Sequence, residues 1–337
     1  MARVLIVENL EPGQSPWWLQ HLPSNPTVQF EIECISEASL LSALPKLLAA
    51  YRKGGSYDAI ITNQDGYATF LFASLRWVSG RRRPLHFVME FITKQRNASV
   101  YSRIKYGLMS RILRSVTRFI CSAQRETQLY PEQLNLPRHR FVHIPLMTNP
   151  KFLTWETKYP ESFISDDYVF AGGYTGRDFA TFLDAVAEID FPVRLITTPR
   201  AVAGLEVPPN VQLLFNLPFQ EYIEHVARAQ IVVVPLQNWD ISVGQSVILE
   251  AMALARPLIA TKAPGSVDYV QHETNGLLVS PGDAAGLRAA ILRLLNDSPA
   301  ARRLASNARE FVSETCTPAI VMTKVFDLIG ETLETER

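Results

Sequence analysis

Ser246 and Glu250 stand four residues apart in the stretch DISVGQSVILEAMALARPLIAT, Asp240 to Thr261. On a helix that spacing puts both on one face, about 6 Å apart along the axis at 1.5 Å rise per residue. Gly244 precedes them, where a residue without Cβ lets the backbone come close to a ligand. The unpaired N–H groups of Gly244, Gln245 and Ser246, with the positive end of the helix dipole, favour an anion such as a diphosphate. One turn deeper, the Glu250 carboxylate is suited to accept hydrogen bonds from a vicinal diol, the chemistry of a ribose contact. Pattern alone leaves a second reading of Glu250 open, an acid on the solvent edge of a packed helix.

This segment must be positioned by strands. It follows the apolar run IVVVPL and leaves at Arg256-Pro257 into PLIAT. Similar alternation fills the chain. RVLIV, VQFEIECI, YDAIIT, PLHFVMEF, RFICS and RFVHIPL are separated by helical patterns near 36–52, 67–78 and 99–115. After the proline-bearing, aperiodic stretch from Thr148, the alternation restarts with DYVFAGG, VRLITT, VQLLF, IVVVPL, PLIAT and GLLV. A short helix is expected near Ser266 to Val270. Strands alternating with helices of this length predict βαβ units and parallel sheets, whose ligands sit beyond the carboxyl ends of the strands. The expected organisation is an α/β chain of two doubly wound, Rossmann-like domains facing a central cleft. The first spans 1–150, a linker 151–166, the second 167–315, and a C-terminal helix over 316–337 can pack back on the first domain.

Composition agrees with two domains. The 337 residues are 47% apolar and 20% charged, which fills a core and solvates a surface. Cys34, Cys121 and Cys316 lie far apart and read as reduced core thiols. The N-terminal apolar run is too short for a signal peptide, and no stretch reaches the roughly 18 apolar residues of a membrane span, FLFASLRWV being broken by Arg76. A cytoplasmic protein is expected, so the sequon Asn97-Ala98-Ser99 stays unmodified. The net charge of zero hides an asymmetry: residues 1–150 hold 18 Lys/Arg against 10 Asp/Glu, leaving 15 against 23 in the remainder. Different partners for the two halves follow.

Asp240 to Thr261 resembles the signature of the group 1 glycosyltransferases with the GT-B fold, in which two glutamates stand eight positions apart. Here LEAMALARPLIAT carries the second as Glu250, to which the resemblance assigns the nucleotide ribose. Ser242 stands where the first, a donor-sugar contact, is usual, so Asp240, Ser242 and Gln245 are the candidate substitutes. YVFAGGYTGRDFATFLDAVAEI is similar to the family's strand, glycine loop and helix, with Gly173, Tyr174, Thr175 and Arg177 expected at the phosphates. Asp178 reads equally as an N-cap. VDYVQHETNGLLVSPGD resembles a third family segment, taken as scaffold. The resemblance implies a retaining hexosyltransferase that takes a sugar from a nucleotide-diphosphate donor, UDP- or GDP-linked. Its acceptor would be a saccharide or a lipid-linked molecule. Arg177, the glycine loop and the helix start at Gly244 to Ser246 would carry the leaving diphosphate's charge. No DxD-type pair stands at a strand end, so no metal and no cofactor are expected. A GT-B epimerase or hydrolase, which would need further acids or histidines around the donor, and a non-catalytic partner subunit remain as alternatives.

In relatives a His often follows a central strand of the first domain; here the strand PLHFVMEF ends at Glu90, a candidate for the sugar or for the acceptor's proton. A solvated Glu90, or one paired with Lys94, is the plainer reading. Asp65 is a second candidate, although Asp-Gly also reads as a turn. His86 reads as core. Trp17 and Trp18 would stack on an acceptor or seal their loop. Arg103, Arg111, Arg114 and Arg118 form a basic stripe on the 99–115 helix, beside Val100, Ile104, Leu108, Ile112 and Val116. With Arg81 to Arg83, Lys94 and Arg96 this fits an anionic membrane surface, on the inner face, with the apolar stripe expected to pack on the sheet. No nucleic-acid reading motif accompanies the basic residues.

Overall fold

The computed structural model describes residues 1–8, 10, 16–22, 28–35, 40–63, 67–93, 99–155 and 167–336. The chain forms two compact units, Met1–Pro145 with Pro318–Arg337, and Leu146–Thr317.

The first unit holds a six-stranded parallel sheet in the order β2-β1-β3-β4-β5-β6. Its strands are β1 (Ala2–Glu8), β2 (Val28–Cys34), β3 (Ala59–Asn63), β4 (Leu85–Met89), β5 (Arg118–Cys121) and β6 (Phe141–His143). Helices α1 (Leu40–Gly54), α2 (Tyr67–Ser79), α3 (Val100–Leu113) and α4 (Glu126–Leu134) connect them. Central strands such as β4 are buried at every residue, as parallel strands covered on both faces must be. The final helix α11 (Pro318–Thr335) belongs to this unit, and its Phe326 stacks on Phe30 of β2 with ring centroids 5.8 Å apart. α4 is absent from the expected elements because its apolar positions are broken by Pro131 and several glutamines and glutamates.

The second unit repeats the plan, with strand order β12-β11-β10-β7-β8-β9. Its strands are β7 (Val169–Gly172), β8 (Val193–Thr197), β9 (Val211–Phe215), β10 (Ile231–Val234), β11 (Leu258–Thr261) and β12 (Leu277–Val279). The helices are α5 (Pro150–Leu153), α6 (Phe179–Val186), α7 (Phe219–Arg228), α8 (Gln245–Ala253), α9 (Ala284–Asn296) and α10 (Ser298–Thr315). Phe152 and Trp155 are buried in this unit's core. The helix expected near Ser266 to Val270 is instead a run of turns, held by the Ser266 hydroxyl between the amide of Ala263 and the carbonyls of Thr261 and Ala263. A serine that bonds its own backbone competes with helix formation.

In each sheet the order reverses direction once, between β1 and β3 and between β7 and β10. In open α/β sheets such a switch point is where loops diverge and a crevice opens.

Candidate functional site

At the switch point of the second unit the two segments singled out from sequence come together. Gly172 ends β7; Gly173 and Gly176 follow with φ of 98° and 64°, left-handed conformations that a Cβ would strain. The loop is closed from within. Arg177 sends Nε to the carbonyl of Gly172 at 2.9 Å and a guanidinium NH to that of Thr175 at 2.8 Å, and the buried Thr197 hydroxyl at the end of β8 donates to Gly173 O at 2.7 Å. The guanidinium lies so close over Gly173 that a Cβ there would meet it at 2.6 Å. Arg177 is therefore a buried cation, 9% exposed, whose burial lowers its pKa from the usual value. Tyr174 and Thr175, in contrast, are exposed. Asp178 caps α6, accepting from the Thr181 amide at 3.1 Å.

The loop after β10 is tied to this one by backbone bonds. Asp178 N donates to Pro235 O at 3.0 Å, Gln237 N to Gly176 O at 2.9 Å, and Arg177 bridges Leu236. Gly176 also abuts Val243 and Trp239, leaving no room for a side chain. Gly244, φ 90°, then starts α8, and having no side chain it supplies no cap of its own to this helix start. From the other side Gly265 is pressed on Val243, where a Cβ would sit 2.1 Å from the carbonyl oxygen. Ser242 and Gln245 are buried, Asp240 is partly exposed and Ser246 is exposed on the first turn.

Glu250 follows one turn along α8. The Tyr222 hydroxyl, from α7, donates to its Oε2 at 3.2 Å. The residue keeps partial exposure, yet burial of the carboxyl pushes its pKa up to about 8, against the pull of the Tyr222 bond and the Arg177 charge. Tyr222 itself is driven well above its ordinary value by burial and by Glu250. Glu250 thus stands at a partly exposed edge of the helix with its carboxyl bonded to Tyr222. Tyr222 and Thr197 were not legible as site residues: an isolated Tyr in FQEYIEH and a Thr ending VRLIT carry no motif, and only the pairing of elements brings them in.

The first unit distributes its candidates less closely. Glu90 lies directly after β4 with φ 51°, a left-handed conformation uncommon outside glycine and frequent where function demands strain. Asp65, Lys94 and Arg96 lie outside the described residues. Trp18 is buried, whereas Trp17 is 38% exposed. His86 is core, bonded to Thr62 at 2.9 Å, with burial lowering its pKa to about 3. Cys121 and Cys316 are buried free thiols, but Cys34 is only half-buried, on the edge strand β2.

α3 reverses expectation. Val100, Ile104 and Leu108 are 69%, 69% and 52% exposed, whereas Ser102, Tyr106 and Ser110 face inward. Val116 is buried beyond the helix and Ile112 is intermediate. Arg103, Arg111 and Arg114 are exposed, but Arg118 opens β5 and does not extend the stripe. α2 buries Ala68, Phe72 and Ala73 together with Arg76, which gives its guanidinium to the carbonyls of Ser115, Pro84 and Arg82, while Tyr67, Phe70, Trp77 and Val78 are exposed.

Residues 167–297 match the family described as Glycosyl transferases group 1. An uncharacterized glycosyltransferase of Methanocaldococcus jannaschii is 29% identical over 150 residues, 42% of each chain. N-acetyl-alpha-D-glucosaminyl L-malate synthase of Bacillus anthracis is 29% identical over 140 residues, 40% of this chain and 35% of that protein. The chain thus spans less than half the length of these curated relatives. Among solved structures, Anabaena HepE in complex with UDP superposes with a TM-score of 0.69 at 15% identity, over 98% of this chain and all of that one. Sucrose-phosphate synthase from Thermosynechococcus elongatus gives 0.68 at 18%, with the same coverage. The fold is GT-B.

Proposed function

We propose that the chain, whose residues 167–297 match the group 1 glycosyl transferases, moves a sugar from a nucleotide-diphosphate donor, held by the second unit, to a saccharide or lipid-linked acceptor held by the first. The observation that carries this is the convergence on one switch point of the glycine loop at Gly173, the helix start at Gly244 and the Glu250 carboxyl one turn farther along the same helix. Diphosphate lies against the helix start and the glycine loop, and ribose hydroxyls donate to Glu250. As the glycosidic bond breaks, charge grows on the leaving diphosphate; the helix start and the fixed Arg177 cation stabilise it, so the reaction needs no metal. Transfer with retention follows the family's pattern. Binding of UDP and GDP, read as a rise in melting temperature, tests the reading, because a ligand of the folded state stabilises by mass action. UDP or GDP should raise the melting point of the wild type and not of Glu250→Ala; equal shifts in both would overturn the ribose assignment.

A peripheral position on an anionic membrane belongs to the same proposal. Among the described residues no helix is long and apolar enough to cross a membrane. α3, however, turns Ser102, Tyr106 and Ser110 inward and Val100, Ile104 and Leu108 outward, α2 exposes Tyr67, Phe70, Trp77 and Val78, and Arg81 to Arg83, Arg103, Arg111 and Arg114 are exposed on or beside them. Apolar side chains rimmed by arginines match the acyl boundary and headgroups of an anionic, cytoplasmic leaflet. Flotation with phosphatidylglycerol vesicles, but not with phosphatidylcholine vesicles, is the expected result. Equal flotation with both, or with neither, would remove it, as would a salt-insensitive dimer that covers this face.

A further inference from the structure

The first unit has its own switch point, between β1 and β3, and the structure sets a polar pair there. Glu8 is the last residue of β1 and Asn63 the last of β3. Ladder pairing brings Val7 opposite Thr62, so Glu8 and Asn63 are the next residues along the register, and Asn63 Nδ2 donates to Glu8 Oε2 at 3.2 Å. Glu8 is 9% exposed. Burial raises its pKa, and the Asn63 bond opposes this.

The rest of the two strands is apolar and buried: Val4 to Val7 on β1 and Ala59 to Ile61 on β3 are core. A carboxyl set at the end of such strands is costly unless hydrogen-bonded, and its two oxygens offer about four acceptor positions. Among the described residues Asn63 is the one donor to it. One strand farther, Asn63 is level with Met89 of β4, and Glu90 follows in its left-handed conformation. Two interstrand spacings separate β1 from β4, about 10 Å. The sheet's carboxyl edge thus carries Glu8, Asn63 and Glu90 on three adjacent strands, at the point where this topology opens a crevice.

We infer that Glu8 and Asn63 form a hydroxyl-binding subsite for a sugar ring of the acceptor, with Glu8 accepting a hydrogen bond from a ring hydroxyl and Asn63 fixing the carboxylate. This rests on the proposed glycosyl transfer and adds to it the residues that select a polyhydroxylated acceptor. The half-buried Cys34 thiol, opposite Glu8 on β2, has its pKa raised by its own burial and by the Glu8 charge.

The test uses the full chain with methyl glycosides of glucose, mannose and N-acetylglucosamine as probes. The side-chain amide resonances of Asn63, identified by their loss in Asn63→Asp, should shift on titration with at least one of them. Glu8→Gln, which keeps shape and fold, should weaken that glycoside about tenfold or more, as loss of a hydrogen bond to a charged group does, while leaving stabilisation by UDP unchanged. Absence of any Asn63 shift, or equal glycoside affinity in Glu8→Gln, would overturn the subsite. UDP stabilisation is read separately, in the second unit, so its absence counts against the donor site and not against this one.

Discussion

Tyr222 and Glu250 share a proton-bearing contact of 3.2 Å between two helices of the second unit, in which the phenol donates to a carboxyl whose pKa is pushed up to about 8. Because the folded value lies above the ordinary 4.5, the folded state holds this proton where the unfolded chain has lost it. The resulting stabilisation is complete below about pH 4.5 and is lost as pH rises towards 8. Glu250→Gln removes that loss. Its stability relative to wild type should climb from pH 5 to pH 8 by on the order of 2 kcal/mol, below the full value of about 1.4 kcal/mol per pKa unit because the residue is partly exposed. Urea unfolding at several pH values checks this, and parallel curves for the two proteins would contradict it.

Gly265→Ala should damage the site from behind. Its Cβ would meet backbone atoms of Val243 at 2.1 and 2.6 Å, and backbone cannot swing aside as a side-chain tip can. A loss of about 2–4 kcal/mol is expected, together with loss of UDP stabilisation, since Gly244 and the helix start follow Val243 directly. Gly107→Ala is the counterpart: it sits in α3 with open space around it and should gain about 0.5–1 kcal/mol.

Arg177→Met strips the hydrogen-bond partners from the carbonyls of Gly172 and Thr175. Stability should fall by about 1–3 kcal/mol, chiefly the cost of leaving the buried Gly172 carbonyl without this donor. Turnover with a nucleotide sugar should fall more steeply than donor affinity, because the charge matters most as the diphosphate leaves. A kcat unchanged in a folded Arg177→Met would remove Arg177 from the mechanism.

On α3 the expected mutational pattern is inverted. Leu108→Ser or Ile104→Ser should change the melting temperature little, within about 0.5 kcal/mol, while weakening vesicle binding. Ser110→Leu should cost about 1–3 kcal/mol, because the serine, not the leucine, is the inward residue. Circular dichroism melts of the three variants decide between the two faces.

The strands of both sheets, the helix carrying Glu250 and the glycine loop at Gly173 were legible in sequence because each is specified locally, by apolar runs and by glycines where no Cβ fits. Partners across elements were not. Tyr222 reaches Glu250 from a helix 28 residues earlier in the chain, and Glu8 meets Asn63 only because β1 and β3 are neighbours in the sheet. The faces of α3 were misread because periodicity reveals which residues share a side but not whether that side points to protein or to solvent. α2 shows the same ambiguity from the other direction: Arg76, which interrupts an apolar run in the sequence, is buried and bonded to three carbonyls.

Phe326, resting on Phe30, is contributed by the last helix to a unit whose other residues all precede Leu146. During synthesis the first sheet must therefore wait, with the Phe30 ring lacking this partner, while the whole second unit leaves the ribosome. A chain stopped at Thr317 would hold a finished second unit and an unfinished first one, a species inclined to aggregate or to recruit a chaperone.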